Sequence, residues 1–210
     1  MARTLKSFSR AAAKYRVQPT ILVICEDSKS GKKYLEDAVH WFRIRVKVEV
    51  VFCGHTDPAG IVREAIKRQR DFDKVFCTVD RDEHKNFDEA VDIVKNHEKI
   101  SLIASYPCFE LWYLLHFKES RKSYARAGKK SPADMLLVDL KKNAGMEKYM
   151  KGSENNLFEI LFNDFDTARK RSEKIYNQAV LDGNLNPSTN LHELFHKFEQ
   201  FSQVQLNVKI

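Results

Sequence analysis

The sequence has no CxxC pair, no long apolar run and no phosphate-binding loop of the GxxxxGK[ST] kind. Each absence removes a class of protein. The 4 cysteines, Cys25, Cys53, Cys77 and Cys108, stand far apart, and three of them lie in or at the end of apolar, strand-like runs. Cysteines in such places act as small buried hydrophobes. A disulfide framework or a zinc site is therefore not expected, and a reducing cytoplasm is. No stretch reaches the roughly 18 apolar residues of a membrane span. The N-terminal MARTLKSFSRAAAKYRVQPT is basic but lacks the apolar segment of a secretory signal. Residues 1–19 are expected to form a basic arm, with a transit peptide as the alternative. SKSGKK echoes a P-loop without its spacing. RNP-type aromatic motifs, zinc-finger spacings, internal repeats and low-complexity tracts are missing as well.

What is present suits a soluble globular chain. Its 210 residues, 43% hydrophobic and 31% charged, suffice for one cored domain, or a core domain with a smaller appendage. The formal net charge of +7 is compatible with an anionic partner such as nucleic acid, and also with a mildly basic cytosolic protein.

Short, β-branched apolar runs alternate with helical patterns over the first half. TILVIC reads as a strand covered on both faces. A helix is expected from about 30 to 43, capped by Ser28 or Ser30, with Tyr34, Leu35, Ala38, Val39 and Phe42 on one face. KVEVVF (47–52) is the next strand. Thr56 or Asp57 caps the following helix, with Pro58 in its first turn. KVFCTV (74–79), a helix opened by Asn86 or Asp88, and KISLIAS (99–105) complete a β-α-β-α-β-α-β unit. Such alternation predicts a parallel four-stranded sheet with right-handed crossovers. From Pro107 onward the pattern is mostly helical, interrupted by the basic loop RKSYARAGKKSP and by NPSTN, a turn followed by a cap. The expected organisation is an arm at 1–19, an α/β core at 20–105 and a helical extension at 106–210.

The chemistry concentrates at the strand ends. Ligands of open α/β sheets bind beyond the carboxyl ends of the strands. ILVICED places Glu26 and Asp27 at the end of the first strand, and VFCTVDRDEH places Asp80, Asp82 and Glu83 at the end of the third. Residues i and i+2 of an extended chain point the same way, so Asp80 and Asp82 face one side and Arg81 the other. Hard divalent cations favour such oxygen ligands, and an ion held there activates water against a phosphoryl centre. Any one of these acids could instead be a helix cap; two clusters on one edge favour ligation. Glu110 lies in the apolar block SYPCFELWYLLHF, where a lone buried carboxylate is costly, so it is expected to face a metal, a basic partner or solvent. His116 is either a hydrogen-bonded histidine at the core edge or a general base or phosphate contact. Lys29, Lys32 and Lys33 at a helix start, and Arg121, Lys122 and Arg126 in the basic loop, are candidates for phosphate or nucleic-acid binding; a solvated basic face is the simpler account of each.

A Glu after the first strand and D-x-D after the third resemble the Toprim domain, which is Rossmann-like. More specifically, ILVICED, VFCTVDRDEH, SYPCFELWYLLHF and NPSTNLHELF, spread over roughly residues 20–200, resemble the RloB-like family. The resemblance implies a Toprim-like fold and Mg²⁺ (or Mn²⁺) held by Glu26, Asp80 and Asp82, with Glu110 supporting the site. It also implies a bacterial or archaeal effector of anti-phage defence or abortive infection, in which related proteins act as nucleases, some on tRNA. The chain departs from the family pattern at Asp27 and Gly31, where a Gly and a second Glu are usual; Asp27 or Glu110 would complete the ligand set. No tyrosine marks a topoisomerase nucleophile. The leading expectation is a cytoplasmic Mg²⁺-dependent nuclease cleaving RNA or DNA, with Glu26 as general base or ligand. An ABC-type ATPase partner and a homo-oligomer are possible companions. The alternative is a non-catalytic sensor or regulatory subunit that docks an ATPase or a nucleotide signal. Nucleotidyl transfer is a third reading, for which no NTP pocket is identifiable.

Overall fold

The computed structural model describes residues 19–42, 44, 47–82, 84–152 and 156–203. The predicted basic arm, apart from Pro19, lies outside the described residues, as does Glu83. Four strands, β1 (Thr20–Cys25), β2 (Lys47–Phe52), β3 (Lys74–Asp80) and β4 (Ile100–Tyr106), run parallel. Between them lie the helices α1 (Ser30–Trp41), α2 (Pro58–Arg68) and α3 (Phe87–Val94). Five more follow: α4 (Glu110–Phe117), α5 (Pro132–Leu140), α6 (Leu157–Leu161), α7 (Phe165–Leu181) and α8 (Leu191–Gln203).

The expected four-stranded parallel sheet has a fifth member. NPSTN is not only a turn: Ser188–Thr189 form β5, antiparallel to β4, and the strand order is β2-β1-β3-β4-β5. Side chains explain why so short a strand holds. Ser105 and Thr189 share a hydroxyl hydrogen bond of 2.8 Å. Asn190 then continues the edge with its own amide: Oδ1 accepts the Ala104 N–H at 2.7 Å, and Nδ2 donates to the Leu102 carbonyl at 3.2 Å. A primary amide offers the donor and acceptor that a strand backbone would offer.

Side chains alternate across β1, and both faces are covered. Ile21, Val23 and Cys25 join a core with Tyr34, Leu35, Trp112 and Phe195. Leu22 and Ile24 join a second core with Ile61, Val62, Ala65 and Val75. That two-sided burial is why TILVIC carries no polar alternation. The C-terminal helices are part of the first core. Trp112 Nε1–H donates to Tyr34 Oη at 2.9 Å, and the Tyr34 ring packs on Phe158 at 5.1 Å and Phe195 at 6.3 Å.

The caps are mixed. Asp57 accepts the Gly60 N–H at 2.8 Å, with Pro58 in the first turn of α2 as expected. Neither Ser28 nor Ser30 caps α1. The Asp27 carboxylate does so, taking the N–H of Lys29 at 2.7 Å and of Gly31 at 3.3 Å, because a carboxylate has enough lone pairs for both and suits the positive end of the helix.

Replacing Asn190 by Ala strands the Ala104 N–H. Unfolding in urea should show a loss of about 1–3 kcal/mol; an unchanged midpoint would mean that the edge does not depend on this amide.

Candidate metal centre at the strand ends

β1 and β3 are neighbours, with Cys25 opposite Thr78, and Glu26 extends the ladder by donating its N–H to the Thr78 carbonyl at 3.1 Å. The Glu26 carboxylate then bridges the two strand ends. Oε2 accepts the Asp80 backbone N–H at 2.7 Å, and Oε1 lies 3.0 Å from His84 Nε2. Asp80 in turn accepts the Phe109 N–H at 2.8 Å, just ahead of α4. A chain of hydrogen bonds thus ties β1, β3 and the start of α4 together. Burial pushes the Asp80 carboxyl well above the usual carboxylate range, and the nearby Glu26 adds to the push. Burial also raises Glu26, against the pull of the Asp80 N–H and His84.

Glu110 enters this edge from the first turn of α4 and is 0% exposed. It finds the basic partner that its burial requires. The Lys151 ammonium lies 3.3 Å from Oε2, while Oε1 accepts the hydroxyls of Ser30 and Tyr149, each at 3.1 Å. Burial alone would depress the Lys151 ammonium; the charge of Glu110, then of Asp80, outweighs it and holds the pKa above the ordinary lysine value. Burial drives the Cys108 thiol well up, and Glu110 and Asp80 reinforce it.

One ligand atom each from Asp80, Cys108 and Glu110 lie within 4.8 Å of one another. The donor set suits a hard cation. Its carboxylates are oxygen ligands, and Glu110 Oε2 receives no hydrogen bond, its charge being met by the Lys151 ammonium. Burial and the neighbouring carboxylates disfavour the Cys108 thiolate, which weights the donor set toward oxygen. Asp27 is not available in the same way, since it caps α1. A Cβ at Gly31 would come 3.3 Å from both Asp27 Oδ2 and the Phe109 ring. Glu110 occupies that neighbourhood from the other side, through Ser30.

The remaining predicted residues are scattered. Arg81 turns away, as expected, with its guanidinium over the rings of Phe87 and Tyr106 at 4.7 and 5.3 Å. Asp82 is half-buried, its N–H bonded to the Pro107 carbonyl at 2.9 Å. His116 is packed in the core against Trp112, Nδ1–H donating to the Trp112 carbonyl at 2.9 Å, beside Arg171 of α7. Lys32 pairs with Glu36, whereas Lys29 and Lys33 line a small pocket with Tyr149 and Gly152. Arg121 is a clamp on α7, donating to the Ile175 carbonyl at 3.1 Å and to Asp182 at 2.8 Å. Lys122 is bound to Asp139 at 2.7 Å, and Arg126 is exposed. His84 and Lys151 were not singled out from the sequence. His84 sits within the VDRDEH run, but Lys151 is brought to the edge by tertiary structure alone.

A model of the RloB-like protein family matches residues 21–198. The chain belongs to the RloB-like family. The match spans β1 to α8 and so includes every strand-end acid described here. No curated protein and no solved structure matches the chain. Among the described residues, no helix is long and apolar enough to cross a membrane.

Burial holds the His116 imidazole down to about 4. The unfolded histidine titrates near 6.5, so between about pH 6.5 and 4 the unfolded chain takes up a proton that the folded one does not. This contribution to stability is therefore complete above that window and is lost as the pH falls through it, by up to ~1.4 kcal/mol per pH unit. Urea unfolding at a series of pH values should show His116→Phe with a shallower slope in this window than the wild type.

Proposed function

We propose that the chain is a metal-dependent nuclease of Toprim type that hydrolyses phosphodiesters in RNA, tRNA included, or in DNA. The observation that carries this reading is the hydrogen bond from the Asp80 N–H to Glu26, which fixes two carboxylates at adjacent parallel strand ends with Glu110 behind them. Glu26, Asp80 and Glu110 would hold Mg²⁺ or Mn²⁺, with Asp82 next along the chain. When bound, such an ion polarises a phosphoryl oxygen and supplies activated water. The chain's own residues do the rest. Glu26 and His84 form a pair able to hold a proton at Glu26 Oε1. Lys29 and Lys33 beside the cluster, and Arg126 in the basic loop, offer cations to the phosphate backbone. On the family resemblance we extend the proposal to an effector of anti-phage defence working beside an ATPase partner in the cytoplasm.

One observation favours a second reading. Lys151 already neutralises part of the cluster, as would suit a non-catalytic subunit that docks an ATPase or a nucleotide signal. Asp80→Asn separates the two, because the amide keeps an acceptor for the Phe109 N–H while losing the charge. Calorimetric titration with Mg²⁺ and Mn²⁺, followed by incubation with labelled total tRNA and plasmid DNA, is the test. The nuclease reading requires metal binding and cleavage by the wild type. In the variant, cleavage should fall about a thousandfold, equivalent to the several kcal/mol that a bound ion supplies. Cleavage that persists unchanged in Asp80→Asn, or no metal binding by the wild type, rejects it.

A further inference from the structure

We propose that the Lys151 ammonium is a built-in cation that fills one of two cation places in this acid cluster, so that the centre takes one divalent ion and not two. The inference rests on the metal-dependent reading above and specifies its stoichiometry.

Geometry comes first. The ligand atoms of Asp80, Cys108 and Glu110 have metal-competent spacing, and the lysine faces the same Glu110 carboxylate, 3.3 Å from Oε2. Paired ions in two-metal hydrolases sit about 3.5–4 Å apart and share carboxylates. A second divalent ion on Glu110 would therefore have to displace the ammonium or endure its repulsion at close range in a poorly solvated site.

The loop that delivers the lysine is fastened on both sides of it. Met146 and Tyr149 are buried before it, and the Tyr149 hydroxyl is bonded to Glu110 itself. Gly152 follows with φ +81, pressed so close to Lys29 that a Cβ there would lie 3.0 Å from the Lys29 Cβ. Only glycine combines that left-handed conformation with that approach at low cost. Lys151 is thus held at the cluster by built contacts, and its field reaches Glu26 and Asp80 as well as Glu110.

The test counts ions. Mn²⁺ is titrated into the full chain, bound ion being counted by calorimetry and by the loss of the free-ion EPR signal. The wild type and Lys151→Arg should each bind one ion. Lys151→Met should bind two, the pair showing a spin-coupled EPR spectrum. Without metal, Lys151→Met should melt below the wild type, and saturating Mn²⁺ should restore it. Two ions per wild-type chain overturn the inference and leave the nuclease reading standing. A single ion in folded Lys151→Met also overturns it. Absence of any bound ion in the wild type overturns both this inference and the reading on which it rests. The wild-type count decides even if Lys151→Met does not fold.

Discussion

A carboxylate withdrawn from water must find a proton, a cation or hydrogen-bond donors. The strand-end edge of this fold is organised by three carboxylates that meet that demand differently. Asp80 takes a backbone N–H from the approach to α4, and burial raises its carboxyl above the usual range. Glu26 takes a backbone N–H from β3 and sits against His84. Glu110 takes two hydroxyls and an ammonium. Each solution recruits a separate stretch of chain. The strand ends, α4 and the loop before Gly152 therefore converge because the acids require donors, as much as because apolar faces require cover.

The positive charge of the chain divides along similar lines. Arg121 and Lys122 belong to the fold: one clamps α7, and the other is bound to Asp139. Burial would raise Asp139, but Lys122 and Lys142 together hold it well below the usual range. Arg126, Lys129 and Lys130 are exposed along the same loop, and Lys122 is exposed as well despite its bond to Asp139.

Periodicity made the first half of the chain legible. β2 spans the predicted 47–52, and α1 ends at Trp41 against an expected 43. These elements are written in local patterns of apolar residues, and the burial of β1 on two faces is visible in its composition. The fifth strand was not legible, because two residues carry no period and Asn190 supplies strand-like bonds from a side chain. The cap of α1 went to Asp27 because the helix begins three residues beyond a carboxylate that outcompetes the serines. In the candidate site, the apolar neighbours of Glu110 showed that it must face a metal, a basic partner or solvent. Which of these it meets was not legible, since Lys151 lies in a segment whose position depends on the packing of Met146 and Tyr149.

The shared core has a consequence for the order of events during synthesis. Tyr34 of α1 packs on Phe195 of α8, and both belong to the cluster that covers one face of β1. At a typical 5–20 residues per second, the chain between them takes roughly 8–30 s to emerge. For that interval the face of β1 with Ile21 and Val23 is without part of its final cover, while the opposite face can already close over α2 and β3. The two sides of one sheet are thus completed on different clocks, and the early sequence is the part most exposed to premature association.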